Sequence, residues 1–563
     1  MNARLDPTQR QPGGAVDPVT ADAQRWLLRY LAPLLALALA VTGLYAGFLS
    51  SPVVFDDFSY FGKPITDNLA SVPDFGLRWL SIATFVWVRA AMGPNLAWQH
   101  LLNLVLHVAN SWLLYVFLLR LFGAVLVEPK SGLAPGVSRQ ALSLPWLAFL
   151  GAWWFALNPS AVYGVAYLVQ RTIVMATLFA LSSWLLFLEG LLRDRRRWLL
   201  LSSVAYLLAV LSKEHAIMVP AVALMLLVLL RRPGAALLRE VGPTCVLYAA
   251  IAIFTILQIR SGGVIGSAYE PSGAAMLEEL NVDPQWAYAL SVLTQTLQFF
   301  KYIALWLLPY PGWMSVDMPA HFARSLWSWP ESAALLFFFL YPVLALRWLM
   351  QRGRKGLLGF ALLGPWLLFA TELSTVRALE IFVLYRSYLW IPCAVAALPF
   401  LLRSMAARHV ALLFALLTAL LVAGSWNRLT SFSDPLLLWD DTLRLGHDKD
   451  ETTRLGRMHH NRGVALSGKK RFQEAISAFD AGLKILPYYS PLFTDRGVAY
   501  LERGQYQQAL RDFNRAIMLD ATYYNPYLGR SQVYEALGNR EAARQDYASS
   551  CRLGVVEVCA RAH

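Results

Sequence analysis

Two adjacent carboxylates, Asp56 and Asp57, stand in the segment SSPVVFDDFSYF, directly after the first long apolar run of the chain. A carboxylate pair at a membrane boundary is costly unless it is solvated or used. One member of such a pair can take the proton of an acceptor hydroxyl while the other positions it or holds a divalent metal. Aspartate pairs are also common in solvated loop turns, and spacing alone favours that plainer reading.

A second group, His100, Asn103 and His107 in HLLNLVLH, falls on one helical face because the spacings are three and four. Inside an apolar helix such a stripe faces protein or a wet cavity. Two histidines one or two turns apart can bind metal, but hydrogen bonding between helices is the commoner use. Basic residues recur at the ends of other apolar runs: Arg171 in YLVQRTIVM, Lys213 beside Glu214 in LSKEH, and Arg377 and Arg386 around Glu380. Cations at that depth suit a phosphate or pyrophosphate, which needs paired charge when desolvated; the alternative is ion pairing within the bundle. Asp317, in GWMSVDMP, adds a further carboxylate. The chain has no Walker A loop, no GxGxxG and no GxSxG, which disfavours an ATP-driven pump and leaves room for an activated donor already in the membrane.

The elements that must hold these residues are helices. The chain has 563 residues, 57% hydrophobic and 15% charged, against about 25% charged in an ordinary soluble protein. Apolar runs at 26–49, 98–122, 142–157, 162–189, 198–212, 215–230, 242–260, 332–350, 357–372, 386–402 and 409–426 predict about eleven membrane spans. The apolar stretch 285–308 breaks the parity of the count and is expected to be re-entrant, paired or interfacial. A polar stretch precedes the first span, which is long enough to stay in a bilayer and does not resemble a cleavable signal. The net charge of +13 comes largely from short clusters such as Arg193 to Arg197 and Arg347 to Lys355. Those clusters obey the positive-inside rule, so no nucleic-acid partner is expected. They place the N-terminal tail 1–25 in the cytoplasm and the C-terminal region outside it. The loops 50–97 and 261–331 then face outward, and 50–97 carries Asp56, Asp57, Asp67 and Asp74 with Lys63, Arg78 and Arg89. Its segment 77–92 is amphipathic enough to lie along a membrane surface.

Beyond a linker at 427–455 the pattern changes. Asn461-Arg462-Gly463-Val464-Ala465 returns as Asp495-Arg496-Gly497-Val498-Ala499, and Arg530-Ser531 follows at the same spacing of 34. Phe472 matches Tyr506; Ala475 matches Ala509 and Ala543; Phe479 matches Phe513 and Tyr547. Small and aromatic residues at this period predict three tetratricopeptide (TPR) helix pairs over 456–563, about the minimum for a stable stack. Such arrays carry no chemistry; they present a groove to a polypeptide partner or serve as a lid. Cys245 and Cys393 lie in apolar runs, whereas Cys551 and Cys559 either form a disulfide across a turn at Gly554 or remain separate thiols.

The order of these segments resembles the GT-C superfamily of membrane glycosyltransferases, in particular the transmembrane-and-TPR O-mannosyltransferase group and its bacterial relatives. The resemblance runs through Phe55 to Asp57, His100 to His107, Asn158 to Arg171, Leu211 to Glu214, Leu305 to Pro319 and Tyr385 to Pro392, followed by a Trp439-containing linker and the repeats. It implies an all-α, GT-C-like transmembrane domain over 26–426 and a polyprenyl-phosphate-linked sugar as donor. The acceptor is a hydroxyl, often of a protein held by the TPR groove. It implies a multi-pass protein of a bacterial inner membrane with the repeats in the periplasm. The acidic motif of the family maps onto Asp56 and Asp57, and its phosphate-contacting basic positions map onto Arg171, Lys213 and Arg386. Glu214, Arg78, His100 and Asp317 complete the expected substrate site. No cofactor is fixed by the sequence, and Mg or Mn is the candidate metal. The chain departs from the family pattern at Asn158-Pro159, Ala161 and Tyr163, at Ile173, and at Leu384, Tyr385 and Trp390. Those departures put metal use and mannose as the sugar in question. A non-enzymatic TPR scaffold for envelope or pilus assembly, or a glycan ligase or flippase-like protein, is the alternative expectation.

Overall fold

The computed structural model describes residues 27–55, 57, 76–126, 142–232, 234–261, 277, 282–318, 320–378, 380–402, 405–446 and 453–562. Asp56, Lys63, Asp67, Asp74 and the N-terminal tail 1–25 lie outside the described residues. Among the described residues every regular element is helical and there is no β-strand.

The helical domain contains α1 (Leu27–Phe48), α2 (Trp79–Met92), α3 (Leu96–Leu126), α4 (Leu144–Leu157), α5 (Pro159–Val165), α6 (Arg171–Arg193), α7 (Arg196–Ser212), α8 (Val219–Leu230), α9 (Ala235–Ser261), α10 (Pro284–Leu307), α11 (Glu331–Gln351), α12 (Gly353–Phe369) and α13 (Ala407–Phe432). Seven helices are long and apolar enough to cross a membrane by length and composition: α1, α3, Leu168–Arg193, α9, α11, Gly353–Ser374 and α13. The other four expected spans are shorter or interrupted. At 1.5 Å per residue the 14-residue α4 reaches only about 21 Å. It ends because Asn158 turns extended and caps α5, its side chain accepting the Ser160 N–H, with Pro159 in the first turn. Helix α7 has 17 residues, and Glu214–Met218 enters α8 as a 3₁₀ turn. The 386–402 run is broken into short turns around Pro392 and Pro399.

The stretch 285–308, expected to be re-entrant, paired or interfacial, forms one continuous helix, α10. Ser291, Gln295, Gln298 and Tyr302 recur on one buried face of it at helical spacing, which lowers its apolarity and gives it a different task. The bundle otherwise packs around one large apolar core drawn from α1, α3, α4, α6, α8 and α12. A smaller core joins α10 to Phe322, Ala323, Val376, Ala378 and Ile381.

Helix α14 (Pro435–Leu445) follows α13 within the expected linker, its N-terminus capped by Asp434, which accepts the Leu436 and Leu437 N–H groups. Three helix pairs follow: α15 (Thr453–Gly468) with α16 (Phe472–Ile485), α17 (Ser490–Glu502) with α18 (Tyr506–Leu519), and α19 (Asn525–Ala536) with α20 (Arg540–Arg552). The repeat residues do what their sizes suggest. Ala475, Ala509 and Ala543 are buried where helices approach, Phe479 lies against Gly463, and Phe513 fills the space left by Gly497 and Gly529. A last 3₁₀ segment, Val556–Ala562, folds back on α20, and a Cys551–Cys559 disulfide ties it there with a Cα–Cα distance of 5.0 Å.

Candidate functional site

Three chain breaks at one end of the bundle bring the charged residues together. Ser81 donates to the carbonyl of Ser212, fixing the start of α2 on the end of α7. That contact sets Arg78, in left-handed backbone conformation, beside Glu214. The Arg78 guanidinium grips the Glu214 carboxylate through both Nε, at 2.9 Å, and Nη2. His215 Nδ1 lies 3.4 Å from Glu214, and its Nε2 lies 3.1 Å from the fully buried Glu372. Glu372 in turn receives Arg386 at 3.2 Å and approaches Arg377 at 3.6 Å; Arg386 also reaches the Glu380 carboxylate at 2.9 Å.

Helix α10 explains why those loop residues hold their places. Its Ser291 hydroxyl accepts the Arg377 N–H at 3.0 Å, its Gln295 donates to the Ile381 carbonyl at 2.9 Å, and its Tyr302 hydroxyl bonds both the N–H and the carbonyl of Val383 at 3.0 Å. A polar face on an apolar helix thus holds Arg377, Ile381 and Val383 by their backbone groups, because buried backbone groups need partners.

Lys213 sits inside this assembly. Its Nζ donates to Gln170 at 3.1 Å and Thr172 at 3.4 Å and lies 5.0 Å from the Tyr385 ring. No carboxylate among the described residues forms an ion pair with it. Burial pushes its ammonium down to about 7, with repulsion from Arg78 and Arg386 acting in the same direction and Glu214 and Glu372 opposing it. Among the described residues Arg78, Lys213, Arg377 and Arg386 stand against three carboxylates, Glu214, Glu372 and Glu380, an excess of one positive charge while Lys213 is protonated. Such a surplus favours an anion. Gln298 on α10 is fully buried, and neither of its amide atoms has a hydrogen-bond partner among the described residues; one oxygen of Glu372 and both nitrogens of His215 also lack a bond of proper geometry. Buried polar atoms in that state are uncommon and concentrate where a protein handles polar ligands.

Other expected site residues have structural tasks. Asp57 is fully buried, and its two oxygens accept the N–H groups of Val54 at 3.1 Å and Val169 at 2.8 Å. It ties the segment after α1 to the turn before Arg171. Arg171 is also fully buried, and each of its guanidinium nitrogens donates to protein: to Asn103 at 2.7 Å, Thr84 at 3.2 Å and Gln99 at 2.8 Å. It lies over the Phe85 ring at 3.8 Å. A ligand phosphate there would have to displace those bonds. His100 contacts the Ser51 carbonyl at 3.0 Å and His107 the Ala156 carbonyl at 2.9 Å. The stripe on α3 therefore joins that helix to the ends of neighbouring helices, the commoner of its two sequence readings. Among the described residues no group of three or more His, Cys, Asp or Glu side chains is placed to hold a metal.

Asp317 lies where the helical domain meets α15. Arg454 donates to its carbonyl at 3.3 Å. Burial raises the Asp317 carboxyl to about 6, against the pull of Arg454 and Arg457 and with help from Glu380. Beside it, Arg428 of α13 bonds the Met314 carbonyl and Asp441 of α14, and Trp439 packs on Phe55 at 4.6 Å. The linker helix α14, which leads into the repeats, thus rests on the residue preceding the aspartate pair. Sequence reasoning passed over His215 and Glu372. The available signal was an acid, in FATELST, ending an apolar run that needs none.

Residues 491–523 match the tetratricopeptide repeat family. The match covers α17, α18 and the turn after them, and says nothing of residues 27–432. No curated protein matches the chain significantly. Among solved structures, the second TPR of Spaghetti (RPAP3) bound to the HSP90 peptide SRMEEVD is 25% identical, covering 18% of this chain and 94% of that one, with a TM-score of 0.18. The first TPR of the same protein, also bound to that peptide, is 25% identical over 20% of this chain and 89% of that one, with a TM-score of 0.19. The APC/C hetero-tetramer Cut9-Hcn1 is 14% identical over 86% of this chain and 89% of that one, with a TM-score of 0.18. Scores this low set no overall fold in common.

Proposed function

We propose that this chain is a membrane-anchored TPR protein that engages a polypeptide partner through its repeats. Its helical domain then transfers a sugar from a polyprenyl-phosphate donor to a hydroxyl of that partner, on the periplasmic face of a bacterial inner membrane. The observation that carries the enzymatic half is the cluster of Lys213, Arg386 and Arg78 around Glu214 and the buried Glu372. The partner-binding half rests on the repeats, whose first helix α15 reaches the helical domain through Arg454 on the Asp317 carbonyl.

In this reading Lys213, Arg386 and Arg78 receive the donor phosphate and stabilise the charge that develops on it as it leaves. Glu214 and Glu372 hold the arginines in place. Arg171 and Asp57 brace the first outward loop. Asp56 takes the proton of the acceptor hydroxyl, whose oxygen bonds to the anomeric carbon as the phosphate departs with the electron pair, so the configuration inverts. No step is routed through a metal.

The second reading is a scaffold with no chemistry of its own, and a specific fact favours it: the recognised family covers the repeats alone. Intact-mass spectrometry of secreted and pilus-type proteins decides between the two. Wild-type cells are compared with cells carrying Asp56→Ala or Lys213→Met. Loss of a sugar-sized mass in both variants supports transfer. Unchanged masses, with each variant stably inserted, leave the scaffold.

A further inference from the structure

The end of the repeat array contains a cleft of about 330 Å³ lined by Glu535, Arg540, Ala543, Arg544, Tyr547 and Arg561. Arg540 and Arg544 are one turn apart on α20 and so share a face. Neither has an ion-pair partner among the described residues. Arg561 arrives from the opposite direction, on the final 3₁₀ segment. Its position is fixed from two sides. Its Nη1 donates to the Tyr547 hydroxyl at 2.8 Å, and the same hydroxyl donates to Glu535 at 2.8 Å. The Tyr547 ring, only 1% exposed, lies under the guanidinium at 5.1 Å. The second support is covalent: the Cys551–Cys559 bond holds the segment against α20 two residues before Arg561.

Three guanidiniums face one carboxylate, and that carboxylate is already engaged by Tyr547 and approached by Arg561 at 4.0 Å. Within the lining that leaves a surplus of two positive charges; Glu541, in the first turn of α20, is outside the lining. Planar guanidiniums with free N–H edges match the paired oxygens of carboxylate and phosphate. We propose that this cleft binds an oxyanion, either a carboxylate of an acidic polypeptide or free phosphate, and that the disulfide builds the site by delivering Arg561. Reduction frees the terminal segment and removes one wall, so binding follows the oxidation state of the compartment.

The test uses the full-length protein in detergent, oxidised, titrated separately with inorganic phosphate and with a fluorescein-labelled hexaglutamate peptide. Binding is expected for the peptide alone if the source is a polypeptide, and for both probes if a free anion suffices. Either result should weaken roughly tenfold or more in Arg540→Gln/Arg544→Gln. It should weaken likewise in Arg561→Gln and after reduction. The pair Arg511→Gln/Arg515→Gln, also one turn apart but on α18 of the preceding repeat, should leave binding unchanged and controls for general positive charge. Because Arg540 and Arg544 are exposed, their replacement leaves the fold intact. Binding of neither probe, or binding indifferent to the α20 pair, overturns the site. Binding that survives both reduction and Cys551→Ser overturns the role of the disulfide.

Discussion

Replacing Arg496 by methionine should open the middle repeat and little else. Its guanidinium forms a fork on Asp512, Nε and Nη2 each at 2.8 Å, and reaches Asp480 at 2.6 Å. The Arg496 side chain is 19% exposed and that of Asp512 only 8%, so the pair is screened less than a surface bridge. Methionine fills much of the volume but leaves Asp512 without its partner. Stranding one member of a buried pair costs about 3–5 kcal/mol, and the residual exposure together with the half-exposed Asp480 brings that to about 2–3 kcal/mol. At 1.36 kcal/mol per tenfold, amide exchange in α17 and α18 should quicken roughly 30- to 150-fold. Hydrogen-exchange mass spectrometry on the whole protein in detergent reads this directly, with α3 and α6 as internal references. Burial already raises the Asp512 carboxyl, and Arg496 holds it down. In the variant its pKa climbs further, so the defect should shrink as the pH falls toward the acid range and the carboxyl takes up a proton. The double variant Arg496→Met/Asp512→Leu should recover most of the loss. Exchange in α17 and α18 that matches wild type at neutral pH would refute the argument.

Lys213 supplies a pH prediction. Its folded pKa of about 7 lies below the ordinary lysine value of 10.5, so between those limits the unfolded chain binds more protons and stability rises with pH. Anion affinity runs the other way, weakening as the pH climbs through 7, and fluorescence titration with a polyprenyl-phosphate donor analogue should show that slope in wild type and lose it in Lys213→Met. Gly529→Ala tests the packing of the repeats: an added Cβ would stand 2.4 Å from the Phe513 ring, an overlap that costs about 1–3 kcal/mol. Gly468→Ala, where nothing lies within 4 Å, should leave the thermal melting of the protein unchanged.

The repeats were legible because their signal is local and periodic. A helix pair needs small residues where its helices touch and aromatics in the gaps, and the period of 34 displays both without reference to distant parts of the chain. The long apolar helices were legible for a similar reason, since length and composition are read within one segment. Of the four shorter expected spans, 142–157, 198–212 and 215–230 form helices close to the expected bounds, whereas 386–402 is broken into short turns around Pro392 and Pro399.

The charged site divides differently. The sequence by itself determined which residue types stand at the ends of apolar runs, and so the whole stock of candidates from Asp57 to Arg386. Which of them face one another was decided only by the tertiary structure. Arg171 and Lys213 look alike in sequence, yet one has every nitrogen occupied by protein and the other is buried without a carboxylate. The difference arises from contacts 41 to 87 positions apart, with Gln99, Asn103 and Thr84 around Arg171 and Gln170 and Thr172 around Lys213. Glu372 gains its meaning from His215 and Arg386, and α10 from a loop more than eighty residues beyond it. Charge interacts through space and desolvation depends on everything packed around a group, so neither can be read along the chain.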